Sequence, residues 1–171
     1  VRGKKIADRL DDARLVSDTR GYLVYTGTYK GERMTVCSTG MGGPQVAIAM
    51  EELGNMGAHT FIRLGSAGGL AEEATVGDIM IATASFRCGG TGDEYLPKAF
   101  PAVADFTVTR ALVDAASGLG VRVLTGVAVS TDAFYSPTND ATMAVAKRGR
   151  AICVEMESDT EFIVGACRKF R

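Results

Sequence analysis

Hydrophobic and polar positions divide the chain into short runs of two different periods. Ile6 and Leu10 lie four residues apart within Lys4–Leu10, the spacing of one helical face, and Asp11-Asp12 closes the run, which predicts a short helix. Tyr22–Tyr29 and Met34–Ser38 are rich in β-branched and aromatic residues, and Lys30-Gly31-Glu32-Arg33 between them has the composition of a hairpin turn, so the two runs are expected to pair antiparallel. Gly40-Met41-Gly42-Gly43-Pro44 lets the chain turn sharply and puts Pro44 at the first position of a helix, Gln45–Asn55, whose Val46, Ala49, Met50 and Leu53 share a face. Beyond it, Phe61–Leu64, Val76–Ala82, Val121–Val129 and Ala151–Val154 read as buried strands. Thr107–Ser117 reads as a helix through Val108, Leu112, Ala115 and Ala116, stopped by Gly118 and Gly120, and a last helix runs to about Phe170. Cys88–Glu94 and Ser130–Pro137 read as surface loops, the first a candidate lid and the second just past a strand end, where α/β proteins place ligands.

Strands alternating with helices predict an α/β fold, one domain over residues 1–171 with a mixed central sheet flanked by helices, the mixture supplied by the hairpin near the start. No internal repeat, low-complexity tract or linker interrupts it. With 46% hydrophobic and 23% charged residues, the chain can bury a sizeable core and is not disordered. A formal charge of -1 without long runs of either sign argues against nucleic acid or an anionic membrane as partner, and no apolar stretch is long enough to span one. Cys37, Cys88, Cys153 and Cys167 stand alone at wide spacings, which disfavours zinc and redox motifs and predicts reduced core thiols. The opening Val1-Arg2-Gly3-Lys4-Lys5 lacks the apolar region of a signal peptide, so a cytoplasmic protein acting on small molecules is expected.

The stretch Thr60–Leu70 is the candidate centre of the chemistry. An apolar run ends in Gly65-Ser66-Ala67-Gly68-Gly69, where backbone N–H groups can approach an anion while Arg63 and Ser66 add side-chain donors: a phosphate cradle, or simply a tight turn after a strand. A dinucleotide fingerprint at Gly40–Gly43 is disfavoured because the sixth-position glycine and the acidic residue closing a following strand are both missing. His59, the single histidine, lies outside these motifs and receives no catalytic role.

Taken in order, Arg2, Arg20-Gly21, Gly40–Pro44, Arg63-Leu64-Gly65-Ser66-Ala67-Gly68, Asp132-Ala133-Phe134-Tyr135 and Val154-Glu155-Met156-Glu157 resemble the nucleoside phosphorylase superfamily that holds hexameric purine nucleoside phosphorylases and uridine phosphorylases. The resemblance implies that Arg2, Arg63 with Ser66, and Arg20 lent by a neighbouring subunit bind phosphate, a task suited to guanidinium groups. It implies that Glu157 accepts hydrogen bonds from two ribose hydroxyls with Met156 against the sugar, and that Phe134, Val154, Ala67, Gly68 and Glu155 surround the base. Phosphate would attack the anomeric carbon as the glycosidic bond breaks, giving a free base and ribose 1-phosphate; phosphate is a co-substrate, and neither a cofactor nor a metal is implied. The assembly implied is a hexamer of three dimers.

The sequence also departs from the family. It starts after the point where a Gly-Asp-Pro loop would lie and ends before the final strand and helix that carry the residue acting on the leaving base, so it looks like a piece of a longer protein. Uridine phosphorylases are matched at Ala84–Arg87 and Phe100–Phe106, yet their uracil-reading Gln and Arg are replaced by Thr138 and Asp140, which offer no equivalent donors. Phe134–Pro137 and Tyr25–Gly31 look more like the purine enzymes, so a purine preference is the expectation. Uridine phosphorolysis, a water-using nucleosidase suggested by Gly65–Leu70, and a non-catalytic nucleoside-binding module remain alternatives.

Overall fold

The computed structural model describes residues 2–171. Its contacts divide the chain into an amino-terminal unit ending at Met41 and a larger unit, Gly42–Arg171. The first unit holds α1 (Arg2–Ala7) and an antiparallel meander of β1 (Asp11–Thr19), β2 (Tyr22–Tyr29) and β3 (Glu32–Cys37). Both hairpins close with positive-φ pairs, Arg20-Gly21 (53° and 83°) and Lys30-Gly31 (51° and 85°), whose twist suits antiparallel neighbours. The expected strand pair is present. The expected helix stops at Ala7, however, and Asp11-Asp12 opens β1 instead of closing a helix.

The larger unit is α/β around a five-stranded mixed sheet. Its elements are α2 (Gly43–Asn55), β4 (Gly68–Gly69), β5 (Ile79–Cys88), β6 (Ala102–Val103), α3 (Phe106–Ser117), β7 (Val123–Thr131), α4 (Asn139–Arg148), β8 (Cys153–Glu155) and α5 (Ser158–Arg168), with a 3-10 turn at Thr91–Glu94. The strand order is β4-β8-β7-β5-β6. Strands β8, β7 and β5 run parallel, while the two-residue edges β4 and β6 run antiparallel to their neighbours. The mixture therefore comes from these edges; the amino-terminal hairpin belongs to a separate sheet.

Helix starts are set by local chemistry, as expected for Pro44. Pro44 sits in the first turn of α2, and the Asp105 carboxylate accepts the Val108 N–H (2.9 Å) to start α3. One core cluster joins α2 to α5 through Val46, Ala47, Met50 and Val164, with Phe61 and Phe170 packed on it at 4.9 Å between ring centroids. Others pack Ala128, Ile152 and Cys153 between strands, and Val129, Ala146 and Ala151 between the sheet and α4. The expected strand Phe61–Leu64 joins no ladder: the Phe61 N–H donates to the Arg171 carbonyl (2.7 Å), and Ile62 and Leu64 are exposed. Helix α4, which no pattern predicted, buries only Ala146. The candidate lid is pinned, since buried Arg87 donates through Nη1 to the carbonyls of Pro97 (2.8 Å) and Phe100 (2.7 Å) and through Nη2 to Asp93 (2.7 Å). Among the described residues no helix is long and apolar enough to cross a membrane.

Ile163 of α5 is fully enclosed. Ile163→Ala is predicted to cost about 2–5 kcal/mol through lost transfer energy and the remaining cavity. Urea titration checks this, and a loss below about 1 kcal/mol would mean that the site collapses around the smaller side chain.

Candidate active site

Strand β8 ends at Glu155, and Glu157 stands immediately before the first residue of α5, so both carboxylates are placed by one strand-to-helix junction. Glu155 finishes that junction chemically. Its oxygens accept the backbone N–H groups of Glu157 (3.0 Å) and Ser158 (2.9 Å), the negative group favoured at a helix N-terminus. Ser158 Oγ lies 2.6 Å from Glu155 Oε1 and 2.9 Å from Ser85 Oγ; having one proton, it donates to the carboxylate and accepts from Ser85.

Arg63 arrives from the extended segment before the glycine-rich turn. Nη1 donates to Glu155 Oε2 (2.8 Å), and Nη2 donates to Glu157 Oε2. Its guanidinium folds back over Gly65 so closely that a Cβ there would lie 2.6 Å from Nη2. A side chain at position 65 would therefore displace the guanidinium. Glu157 Oε1 accepts the Gly42 N–H (2.6 Å), which ties the turn before α2 to the site. Both carboxylates are buried, while a quarter of the arginine side chain, 24%, stays exposed.

A third carboxylate, Glu161, lies one turn beyond Glu157 on α5 and faces the Arg63 backbone N–H. Burial pushes its carboxyl up to about 7; Glu155 and Glu157 add to the rise, and Arg63 opposes it. Arg63, Ser66, Glu155 and Glu161 all border one cavity of about 1130 Å³ whose apolar wall includes Met50 and Phe61.

The structure brings several expected site residues together. Arg63 joins Glu155 and Glu157, and Gly68 pairs with Val154 across β4 and β8, which sets the Ser66-Ala67-Gly68 turn beside the strand leading to Glu155 and Glu157. Met156 is half-buried between the two glutamates in sequence. Phe134 is exposed on the loop after β7, with the Tyr135 ring 5.0 Å away. Arg2 and Arg20 lie exposed in the amino-terminal unit, Arg2 opening α1 and Arg20 in the β1–β2 turn. Glu155, expected at the base, has its lone pairs committed to Arg63 and the α5 terminus. Sequence reasoning missed the Gly42 N–H, Ser158 and Glu161; the only available signal was the four-residue step from Glu157 to Glu161 along one helix face. Of the cysteines expected to be core thiols, Cys153 is buried and its thiol is pushed up to about 11 by burial, whereas Cys167 is exposed.

A strand end, a helix start and an arginine-glycine turn thus meet at one edge of an α/β sheet, and comparison with known proteins identifies the family of the chain. The phosphorylase superfamily model matches residues 2–171, and the chain belongs to that superfamily, a family of enzymes. It is 42% identical over 181 residues to the uridine phosphorylase of Treponema pallidum (strain Nichols), covering 100% of this chain and 70% of the relative. It is 49% identical over 131 residues to that of Thermococcus kodakarensis (strain ATCC BAA-918 / JCM 12380 / KOD1), covering 77% of this chain and 47% of the relative. A crystal structure of uridine phosphorylase from Vibrio fischeri ES114 superposes with a TM-score of 0.95 at 32% identity, covering 99% of this chain and 71% of that one. A guanosine phosphorylase of Halorubrum lacusprofundi (strain ATCC 49239 / DSM 5036 / JCM 8891 / ACAM 34) is also similar, at 36% identity over 98% of this chain and 69% of the relative. The chain thus spans about half to two thirds or slightly more of these relatives.

The position of Glu161 predicts a pH dependence of stability. The native carboxyl keeps its proton up to about 7, whereas the ordinary value is 4.5, so between these the folded state binds more protons. Stability is fully present below about pH 4.5, falls as pH rises toward 7, then levels off, a change of at most about 3 kcal/mol. Glu161→Gln should abolish this slope and exceed the wild type in denaturant resistance at pH 8. A wild type parallel to the variant from pH 5 to 8 would mean that Glu161 ionises normally.

Proposed function

We propose that the full-length protein is a nucleoside phosphorylase that reversibly converts a nucleoside and inorganic phosphate into a free base and a pentose 1-phosphate, with uridine the favoured substrate. The observation that carries the proposal is Arg63 held between Glu155 and Glu157 beside the Gly65–Gly69 turn. Two of the five guanidinium N–H donors serve the carboxylates, leaving three for an anion, and Ser66 adds a hydroxyl at the same turn. Each Glu157 oxygen has one protein donor, so each keeps a lone pair for one hydroxyl of a sugar diol. Phosphate and sugar are thereby held side by side on the same pair of residues, the proximity a displacement at the anomeric carbon needs.

In that reaction a phosphate oxygen forms a bond to the anomeric carbon, the carbon–nitrogen bond breaks, and its electron pair leaves with the base, which takes up a proton. Positive charge developing on the sugar is stabilised by the phosphate beside it, in a site where both partners are fixed in advance. Ser66 adds to the phosphate site in this proposal; Arg2 and Arg20 of the amino-terminal unit are proposed as phosphate ligands on the family resemblance alone, Arg20 serving a neighbouring subunit of a dimer-based hexamer. Met156, Val154, Ala67, Gly68 and Phe134 bound the sugar and base, and Glu155 anchors Arg63.

The expected purine preference finds no support in the relatives reported above with the highest identity, which are uridine phosphorylases. Thr138 and Asp140, on which that expectation rested in part, stand at the start of α4: Thr138 precedes the helix, and Asp140 lies in its first turn, where a carboxylate suits the helix dipole. The guanosine phosphorylase relative keeps guanosine in the test set.

The test is a side-by-side assay of uridine, inosine, adenosine and guanosine at equal concentration, with and without phosphate. Uridine should give the largest kcat/KM, and turnover should require phosphate; turnover in its absence would identify a nucleosidase, and binding without turnover a binding module. Arg63→Ala should lower kcat/KM for phosphate by roughly ten- to a hundredfold, the loss of a charged hydrogen bond of about 1.5–3 kcal/mol. An unchanged phosphate dependence would remove Arg63 from the site.

A further inference from the structure

Away from the Arg63 cluster, two aspartates close on the turn that leaves β5. The Gly89 N–H donates to Asp159 Oδ2 (3.2 Å), the Gly90 N–H donates to Asp132 Oδ2 (2.7 Å), and Lys98 Nζ donates to the Gly89 carbonyl (2.9 Å). The fit leaves no space for a side chain: a Cβ on Gly89 would lie 2.8 Å from Asp132 Oδ1 and 2.9 Å from Asp159 Oδ2.

The two carboxylates come from different parts of the site. Asp159, 1% exposed, lies in the first turn of α5 two residues after Glu157, and its Oδ1 accepts Ser130 Oγ (3.0 Å) and the Thr160 N–H (2.6 Å). Asp132 is exposed and stands two residues before Phe134 on the loop after β7. Ser130 and Glu155 are register partners in the parallel β7–β8 ladder, so Asp132 and Glu157 follow at the same edge of the sheet from strands about 5 Å apart. Asp159 is a buried post with both oxygens hydrogen-bonded. Asp132 is the reachable half of the clasp, and its bond to Gly90 is a contact between the Phe134 loop and the end of β5.

We propose that Asp132 is a positioning residue for the nucleoside, its carboxylate on the Gly90 N–H fixing the loop that presents Phe134 and Tyr135 beside the sugar-binding end of the site. The inference rests on the phosphorylase reading for its substrate and on the clasp geometry for its mechanism. It concerns the nucleoside rather than phosphate, because the hydrogen bonds that hold Arg63 to its two carboxylates are separate from those that hold Asp132 to the Gly89-Gly90 turn.

The test uses the full-length protein with Asp132→Ala and Asp132→Asn, an exposed position whose change leaves the core intact. Asp132→Ala should raise the KM for the nucleoside about tenfold, the scale of one charge-assisted hydrogen bond, with kcat and the KM for phosphate within about twofold. Asp132→Asn keeps a side-chain oxygen for the Gly90 N–H and should recover most of the loss. Amide exchange at Gly90 should be faster in Asp132→Ala than in the wild type and return toward the wild-type rate in Asp132→Asn. An unchanged nucleoside KM, or an equal loss in every kinetic parameter, would overturn the proposal, as would Gly90 exchange that ignores the substitution. A wild type inactive on every nucleoside would sink the phosphorylase reading instead, and the exchange measurement would then decide the clasp alone.

Discussion

One guanidinium shared by two buried carboxylates organises the larger unit. Arg63 stands on a segment with no strand partner in the sheet, so its position depends on Glu155 and Glu157 and on the Phe61 N–H bonded to Arg171. The same Glu155 closes the amino terminus of α5, the helix that carries Ile163 and Val164 into the core. Buried ion pairs contribute little net stability compared with apolar packing, yet breaking one leaves a stranded charge at a cost of several kcal/mol. The arrangement is therefore best understood as a device that fixes geometry: it holds a cation with unused donors at a set distance from an acceptor with unused lone pairs.

The parallel ladders translate that local device into a site. Because β5, β7 and β8 run the same way, their chain exits fall on one edge of the sheet. That edge gathers the Gly89-Gly90 turn, the Asp132–Tyr135 loop and the Glu155–Glu157 junction, segments separated by tens of residues in the chain. The exit turns are then bonded to one another through Asp159, Ser130 and Asp132, which makes the edge a connected structure.

Legibility followed burial. Helices α2, α3 and α5 and strand β7 show at least one periodic apolar face, and the sequence pattern located each within a few residues, whereas β5 was expected at Val76–Ala82 and runs on to Cys88. Strand β1 was missed because all but one of its residues are exposed, so Asp11-Asp12-Ala13-Arg14 carries no alternation to read. Helix α4 buries one alanine and offers no stripe, while Phe61–Leu64 is apolar yet largely exposed and unpaired, so composition suggested a strand that hydrogen bonding does not form. In the site, Arg63 and Glu157 were named through ordered motifs that resemble the phosphorylase family. Their direct bond spans 94 residues and could not be read from spacing. Glu161 was invisible because an isolated glutamate on a helix reads as a solvated face until its burial is known.

Charge accounting explains why a third glutamate beside Arg63 is tolerable. With Glu155, Glu157 and Glu161 all ionised, one guanidinium would face three negative charges, a poor setting for a phosphate anion. Burial resolves the conflict by holding Glu161 protonated up to about pH 7, so that near neutrality the cluster carries less negative charge than its composition implies. The remaining excess, two carboxylates against one cation, is offset in part by backbone donors: the Gly42 N–H on Glu157 and the α5 terminus on Glu155. Peptide dipoles thus carry part of the counter-charge, which in the proposed reaction leaves the exposed face of Arg63 to the incoming phosphate.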